Sequence, residues 1–243
     1  MTPSAKYIFL RHGEHPTRSN EGVQYLGGLT ERGVDDARQI GERLNFAPTC
    51  PIRGFTVENE RSITTVALAL RPNIDNEAVE RLARQYVKSG RIALDSRIDY
   101  KRAPDDFIKS LNDAFLAREG LKFLVRSTRD DKWSDGRSIS TYGDMARTLA
   151  RRISVASEGH ESQLICAREF FYPSLRARLI EQEHGITARD DYVEWYGEKV
   201  EWKNEARTQI QTVQVSELNN NGSLLIEDAY GTSEYPATIL RKL

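Results

Sequence analysis

Two spacings of apolar residues alternate along this chain. Tyr7-Ile8-Phe9-Leu10, Gly54-Phe55-Thr56-Val57, Ile92-Ala93-Leu94 and Gln163-Leu164-Ile165-Cys166 are short compact apolar runs, and each predicts a buried strand. Between them the apolar positions recur every three or four residues. Thr30 caps a helix with Val34, Ala37, Ile40 and Leu44 on one side. A second helix runs from about Arg61 to Leu70 and is stopped by Pro72. Asp75 or Asn76 caps a third, which carries Val79, Leu82, Ala83, Tyr86 and Val87 and ends at Gly90. Helices follow over about 105–118, 141–157 and 170–184, the last stopped by Gly185. The tail then changes period: 208–218 alternates as a strand, Asn219-Asn220-Asn221-Gly222 is a turn, and 223–227 is the partner strand of a C-terminal β-hairpin.

Strands alternating with helices predict an α/β layered sheet. Ligands of such sheets bind beyond the carboxyl ends of the strands. The strand ending at Leu10 therefore delivers Arg11 and His12 to the expected site, and the strand ending at Cys166 delivers Ala167, Arg168 and Glu169 to the same edge.

Composition narrows the function classes. The 243 residues are 39% apolar and 29% charged, which is globular rather than disordered. With 35 Lys and Arg against 36 Asp and Glu, the net charge of −1 gives no general attraction to nucleic acid or to an acidic membrane. No apolar stretch approaches the roughly 20 residues that cross a bilayer, and no long apolar leader precedes the first strand, so the cytoplasm is the expected location. Cys50 and Cys166 form no C-x-x-C pair, and Cys166 reads as a small core residue. No glycine-rich phosphate loop of either standard pattern is present, which sets a nucleotide-binding reading aside. The stretch 127–140, rich in Asp, Ser, Arg and Gly, reads as an exposed loop and a candidate lid. Arg126, Arg129, Lys132 and Arg137 there are either a solvated face or a grip on further anionic groups of a ligand.

The chemistry concentrates in Arg11-His12-Gly13-Glu14. Arg11 offers a planar fork of donors to phosphate oxygens. His12, neutral near pH 7, offers a lone pair that can attack phosphorus. Gly13 lets the backbone approach a ligand closely. The string alone also fits a strand end with a hydrogen-bonded surface histidine. The next segments of the chain add weight to the phosphate reading: Leu29-Thr30-Glu31-Arg32-Gly33, then Ala37 and Gly41 along a helix.

The whole stretch, YIFLRHGEHPTRSNEGVQYLGGLTERGVDDARQIGERL, resembles the opening of the histidine phosphatase superfamily, the phosphoglycerate mutase-like proteins. The likeness is strong over about residues 6–70, diffuse to about 180, and loose after Gly185. It implies a three-layer αβα fold with a mostly parallel central sheet. It implies one domain over 1–243, with an inserted helical or lid region at about 72–140 and a divergent tail at about 186–243. By the resemblance His12 is the phosphorylated nucleophile, Arg11 the first phosphate clamp and Arg61 the second. Arg61 lies in Glu60-Arg61-Ser62-Ile63-Thr64-Thr65, where Thr65 also matches and Val57 stands at the family's serine. Arg18 and Asn20 join Gly13 as candidate phosphate-binding residues. The general acid of the family is a carboxylate following the second arginine; Asp99 is the candidate, Asp95 the reserve and Glu14 a further option, each of which can equally be a solvated or orienting carboxylate.

One position departs from the family. Its second catalytic histidine follows a strand, and alignment puts Arg168 there, in Leu164-Ile165-Cys166-Ala167-Arg168-Glu169. His160 precedes that strand, His184 ends the next helix as a favourable charge on its dipole, and His15 is too near His12 to form the opposite wall. His12 and His15 with no third ligand do not make a metal site. The resemblance therefore implies a metal-independent, cofactor-independent phosphatase acting on a phosphorylated small molecule or phosphoprotein, attenuated by Arg168. The alternative is an inactive phosphate-binding or protein-interaction domain on the same fold, with a phosphoglycerate mutase a more distant third. A second copy of this chain is a further candidate partner, through the alternating hairpin over about 208–227, if its edge is exposed.

Overall fold

The computed structural model describes residues 4–16, 24–45, 52–95, 105–127, 142–158, 162–167, 170–201, 211–216 and 222–243. Its strands are β1 (Ser4–Leu10), β2 (Arg53–Thr56), β3 (Ile92–Leu94), β4 (Gln163–Cys166), β5 (Gln211–Ser216), β6 (Ser223–Asp228) and β7 (Gly231–Pro236). They form one sheet in the order β3-β2-β4-β1-β5-β6-β7. The first four positions in that order are parallel, and the last three strands continue the sheet antiparallel. Register aligns Leu10 and Thr56 with Cys166, and Thr56 with Leu94, so the carboxyl ends of all four parallel strands lie level. The segments leaving those strand ends share one edge.

The helices are α1 (Glu31–Leu44), α2 (Glu60–Leu70), α3 (Asn76–Lys88), α4 (Asp105–Leu116), α5 (Gly120–Ser127), α6 (Tyr142–Glu158) and α7 (Phe171–Lys199), followed by a terminal 3-10 helix (Ala237–Lys242). Side chains of β1 alternate between two layers because successive strand residues face opposite ways. Ile8 and Leu10 pack with Ile40, Val66, Ala67 and Ala83 from α1, α2 and α3. Tyr7 and Phe9 pack with Phe107, Leu124, Leu149 and Leu175 from α4, α5, α6 and α7. This is the three-layer arrangement expected. Thr30 caps α1 as its sequence predicted, accepting from Gly33 N at 3.1 Å, and Asn45 closes it in the left-handed region.

Three features differ from the expected pattern. The helix expected over 105–118 ends at Leu116, Arg118 turns the chain with φ 63°, and α5 begins at Gly120. The short α5 has too few residues to announce itself. A buried carboxylate, Glu201, accepts from Gly120 N at 2.5 Å and so satisfies its first turn from a distant part of the chain. Gly185 does interrupt a helix (φ 87°, ψ 179°), but the chain resumes helical structure beyond it to Lys199.

The hairpin is also not a free edge. β5 lies between β1 and β6, and β7 takes the outer position, so an edge for pairing moves from the predicted hairpin to β7. Behind this extension Arg176 of α7, only 1% exposed, pairs with Asp228 at 3.2 Å and donates to Tyr235 Oη at 2.6 Å and to Ser233 Oγ at 2.7 Å. The Tyr172 hydroxyl donates to the same Asp228 carboxylate.

Candidate active site

Beyond Leu10 the chain is held by backbone and hydroxyl contacts. Gly13 N donates to Thr65 Oγ1 at 3.0 Å, and the Thr65 hydroxyl donates to the Arg61 carbonyl at 2.7 Å. The loop carrying His12 and the helix carrying Arg61 are thereby tied through one side chain. Thr30 N donates to the Glu14 carbonyl at 2.9 Å, and Thr30 Oγ1 donates to Glu14 Oε2 at 2.9 Å. The two glycines of the sequence pattern face one another. A Cβ on Gly13 would lie 2.3 Å from the Gly33 carbonyl oxygen, and one on Gly33 would lie 2.1 Å from the Glu14 carbonyl oxygen. The spacing between Arg-His-Gly and Leu-Thr-x-x-Gly thus encodes a close backbone crossing that leaves no room for side chains.

His12 is partly buried, and its Nδ1 lies 3.0 Å from the Gly13 carbonyl. A carbonyl only accepts, so this contact assigns the ring proton to Nδ1 and leaves the lone pair on Nε2. Burial holds the His12 pKa well below the ordinary 6.5, and the charge of Arg61 lowers it next; the Gly13 contact opposes this, while Arg11 and His15 add to the depression. Arg11 and Arg61 therefore both lie within electrostatic reach of the imidazole. Arg61 sits in the first turn of α2, where Asn59 Oδ1 accepts from Arg61 N at 3.1 Å. The left-handed turn Gly27-Gly28 packs on that first turn, and a Cβ on Gly27 (φ 53°) would lie 2.1 Å from Thr64 Oγ1. The ring of His15 stacks on His12, with centroids 5.2 Å apart and planes 20° from parallel.

The structure brings together His12, Arg11, Gly13 and Arg61 of the predicted set. Arg168, Asp99, Arg18 and Asn20 lie outside the described residues. Among the other candidates, Asp95 is 7% exposed and ion-paired with Arg152, whose guanidinium lies 3.8 Å above the Phe55 ring. A guanidinium partner favours the charged carboxylate, the wrong state for donating a proton, so Asp95 serves as an anchor between β3 and α6. No local signal pairs residues 57 positions apart, and Arg152 was invisible to sequence reading for that reason. Glu14 is engaged by Thr30. Arg126 is exposed at the end of α5. Cys166 is fully buried with its thiol pushed up to about 12 by burial, which leaves it an inert core residue. His184 lies against Tyr235, centroids 6.4 Å apart. Among the described residues no three His, Cys, Asp or Glu side chains are grouped to hold a metal ion, and no helix is long and apolar enough to cross a membrane.

No family model matches this sequence, and no curated protein matches it. Solved structures do match. Bacillus stearothermophilus YhfR is similar at TM-score 0.53 over 94% of this chain and 98% of that chain, with 15% identity. The alpha-ribazole phosphatase from Shigella flexneri has TM-score 0.48 at 16% identity, over 93% of this chain and 97% of that one. A mycobacterial glucosyl-3-phosphoglycerate phosphatase has TM-score 0.47 at 16% identity, over 87% and 91%. The chain has the phosphoglycerate mutase-like fold of the histidine phosphatases.

Proposed function

We propose that this protein is a metal-independent phosphatase that hydrolyses a phosphomonoester through a phosphohistidine on His12. The observation that carries the reading is the Nδ1 contact to the Gly13 carbonyl, which leaves the lone pair on Nε2 of a ring that lies within electrostatic reach of Arg61 and Arg11. In the first step Nε2 attacks phosphorus, the bond to the ester oxygen breaks, and a general acid protonates the departing oxygen. Asp99 is our candidate for that acid. In the second step water gives a proton to the carboxylate left by the general acid and attacks the phosphohistidine, the P–N bond breaks, and its electron pair returns to Nε2. Arg11 and Arg61 stabilise charge on the phosphoryl oxygens throughout, which is most of what phosphoryl transfer asks of a protein. The ester is carried by a small molecule or a protein.

A second reading is a phosphate-binding domain without turnover. It is favoured by Arg168 at the position of the family's second histidine and by the engagement of Asp95 with Arg152. One experiment separates the two. The first predicts an acid-labile phosphoprotein formed from a generic phosphate ester, absent in His12→Ala, with turnover lost in the same variant. Phosphate binding with turnover no greater than that of His12→Ala supports the second.

A further inference from the structure

Among the described residues the imidazole nearest His12 is His15, and its placement is built rather than incidental. Between the two, Gly13 is fixed through its amide to Thr65 and Glu14 is fixed through its carbonyl to Thr30 N. The close approach of Gly33 to Glu14 removes what slack remains. The segment from His12 to His15 is therefore pinned at both intervening residues, and His15 is partly buried where it leaves the crossing. Its ring lies nearly parallel to that of His12, with centroids 5.2 Å apart. In offset stacking of this kind the edge of one ring runs beside the edge of the other, one ring thickness above it.

A phosphoryl group on Nε2 is wider than an imidazole is thick. Its three peripheral oxygens fan out to both sides of the His12 plane, and those on one side approach the stacked ring. From this geometry we propose that His15 is a further catalytic residue, an N–H donor to a peripheral phosphoryl oxygen. It would act from the face of His12 rather than from the opposite wall of the pocket. It supplies an imidazole donor in a chain whose strand-borne position carries Arg168 instead. His12 is held neutral, and its one N–H faces the Gly13 carbonyl, so a ring donor toward the phosphoryl oxygens has to come from the stacked neighbour. The proposal rests on the phosphohistidine reading of His12.

The test pairs His15→Phe, which keeps a stacked ring without a donor, with His15→Gln, which keeps an N–H donor; His15→Leu is a second donorless variant. Inorganic phosphate binding by calorimetry and turnover of one phosphate ester are measured for each, with thermal melting to confirm folding. The expected result is a loss in kcat of about 10²-fold in His15→Phe and His15→Leu, the scale of removing one aimed donor. Phosphate affinity falls about tenfold in both, and His15→Gln recovers most of each loss. Wild-type phosphate binding and turnover in the donorless variants overturn the role of His15, and so does a folded His15→Gln as impaired as His15→Phe. Neither result touches His12. Full turnover in His12→Ala, or no phosphate binding by the wild-type protein, overturns the underlying reading and this inference with it.

Discussion

The amide of Gly13 donates a hydrogen bond to the hydroxyl of Thr65 at 3.0 Å, and by that contact the strand-end loop and α2 present His12 and Arg61 as a unit. Thr65→Val keeps the volume of the side chain but leaves the Gly13 amide without its acceptor. An unmet buried amide costs about 1–3 kcal/mol, and denaturant unfolding should show a loss of that size. If His12 and Arg61 act together on a phosphoryl group as proposed, turnover should fall at least tenfold, because the loop and α2 lose their tether. Thr65→Ser should restore both, since a serine hydroxyl accepts and donates in the same place.

Substitutions of Asp95 and Asp99 should separate cleanly. Asp95 holds Arg152 in a nearly dry setting, so Asp95→Ala strands a guanidinium and should lower the unfolding free energy by about 3 kcal/mol. Asp99→Asn should leave the melting temperature unchanged. If Asp99 is the general acid, its loss should slow hydrolysis of an alkyl phosphate by about 10²-fold or more, and p-nitrophenyl phosphate, whose leaving group needs no proton, far less. Equal effects of Asp99→Asn on the two esters, or none, would remove Asp99 from the mechanism.

The depressed pKa of His12 has a sign that can be measured. The folded pKa lies below the unfolded value near 6.5, so between the two the unfolded chain binds more protons than the folded one. Stability from this residue therefore rises with pH through that window and is at its least below the folded pKa. His12→Asn should flatten the dependence there, as read from urea midpoints taken at several pH values. In kinetics, the acid limb assigned to the nucleophile should fall below pH 6.5 in kcat/KM. Arg61→Met should move it upward, because the second-largest cause of the depression has been removed.

Arg168→His tests the departure from the family. Restoring an imidazole at that position should raise kcat by about 10-fold to 10²-fold on a phosphate ester, the scale associated with one charge-aimed donor. A fall in kcat would show instead that the guanidinium has a role of its own.

Much of the site was legible because it is local. Arg11, His12 and Gly13 follow one strand without a break, and the Leu-Thr-x-x-Gly element lies close behind them in sequence. The engagement of Asp95 was not legible because its partner arrives on another helix, and that of Glu14 because its partner is the cap of α1. α5 and β7 went unread for a related reason. A short helix stabilised by Glu201 and an edge strand in which Tyr235 alone is buried carry little periodic signal of their own.

The sequence by itself determined the strand runs, the helix caps and the neighbours of His12, because those follow from residue spacing and from groups adjacent along the backbone. Only the tertiary structure decided which imidazole nitrogen keeps its lone pair, that Thr65 joins the strand-end loop to α2, and that Asp95 is engaged. The last two depend on contacts that exist only once distant segments have packed; the first is a contact between adjacent residues, but the Gly13 backbone that makes it is held from α2 through Thr65.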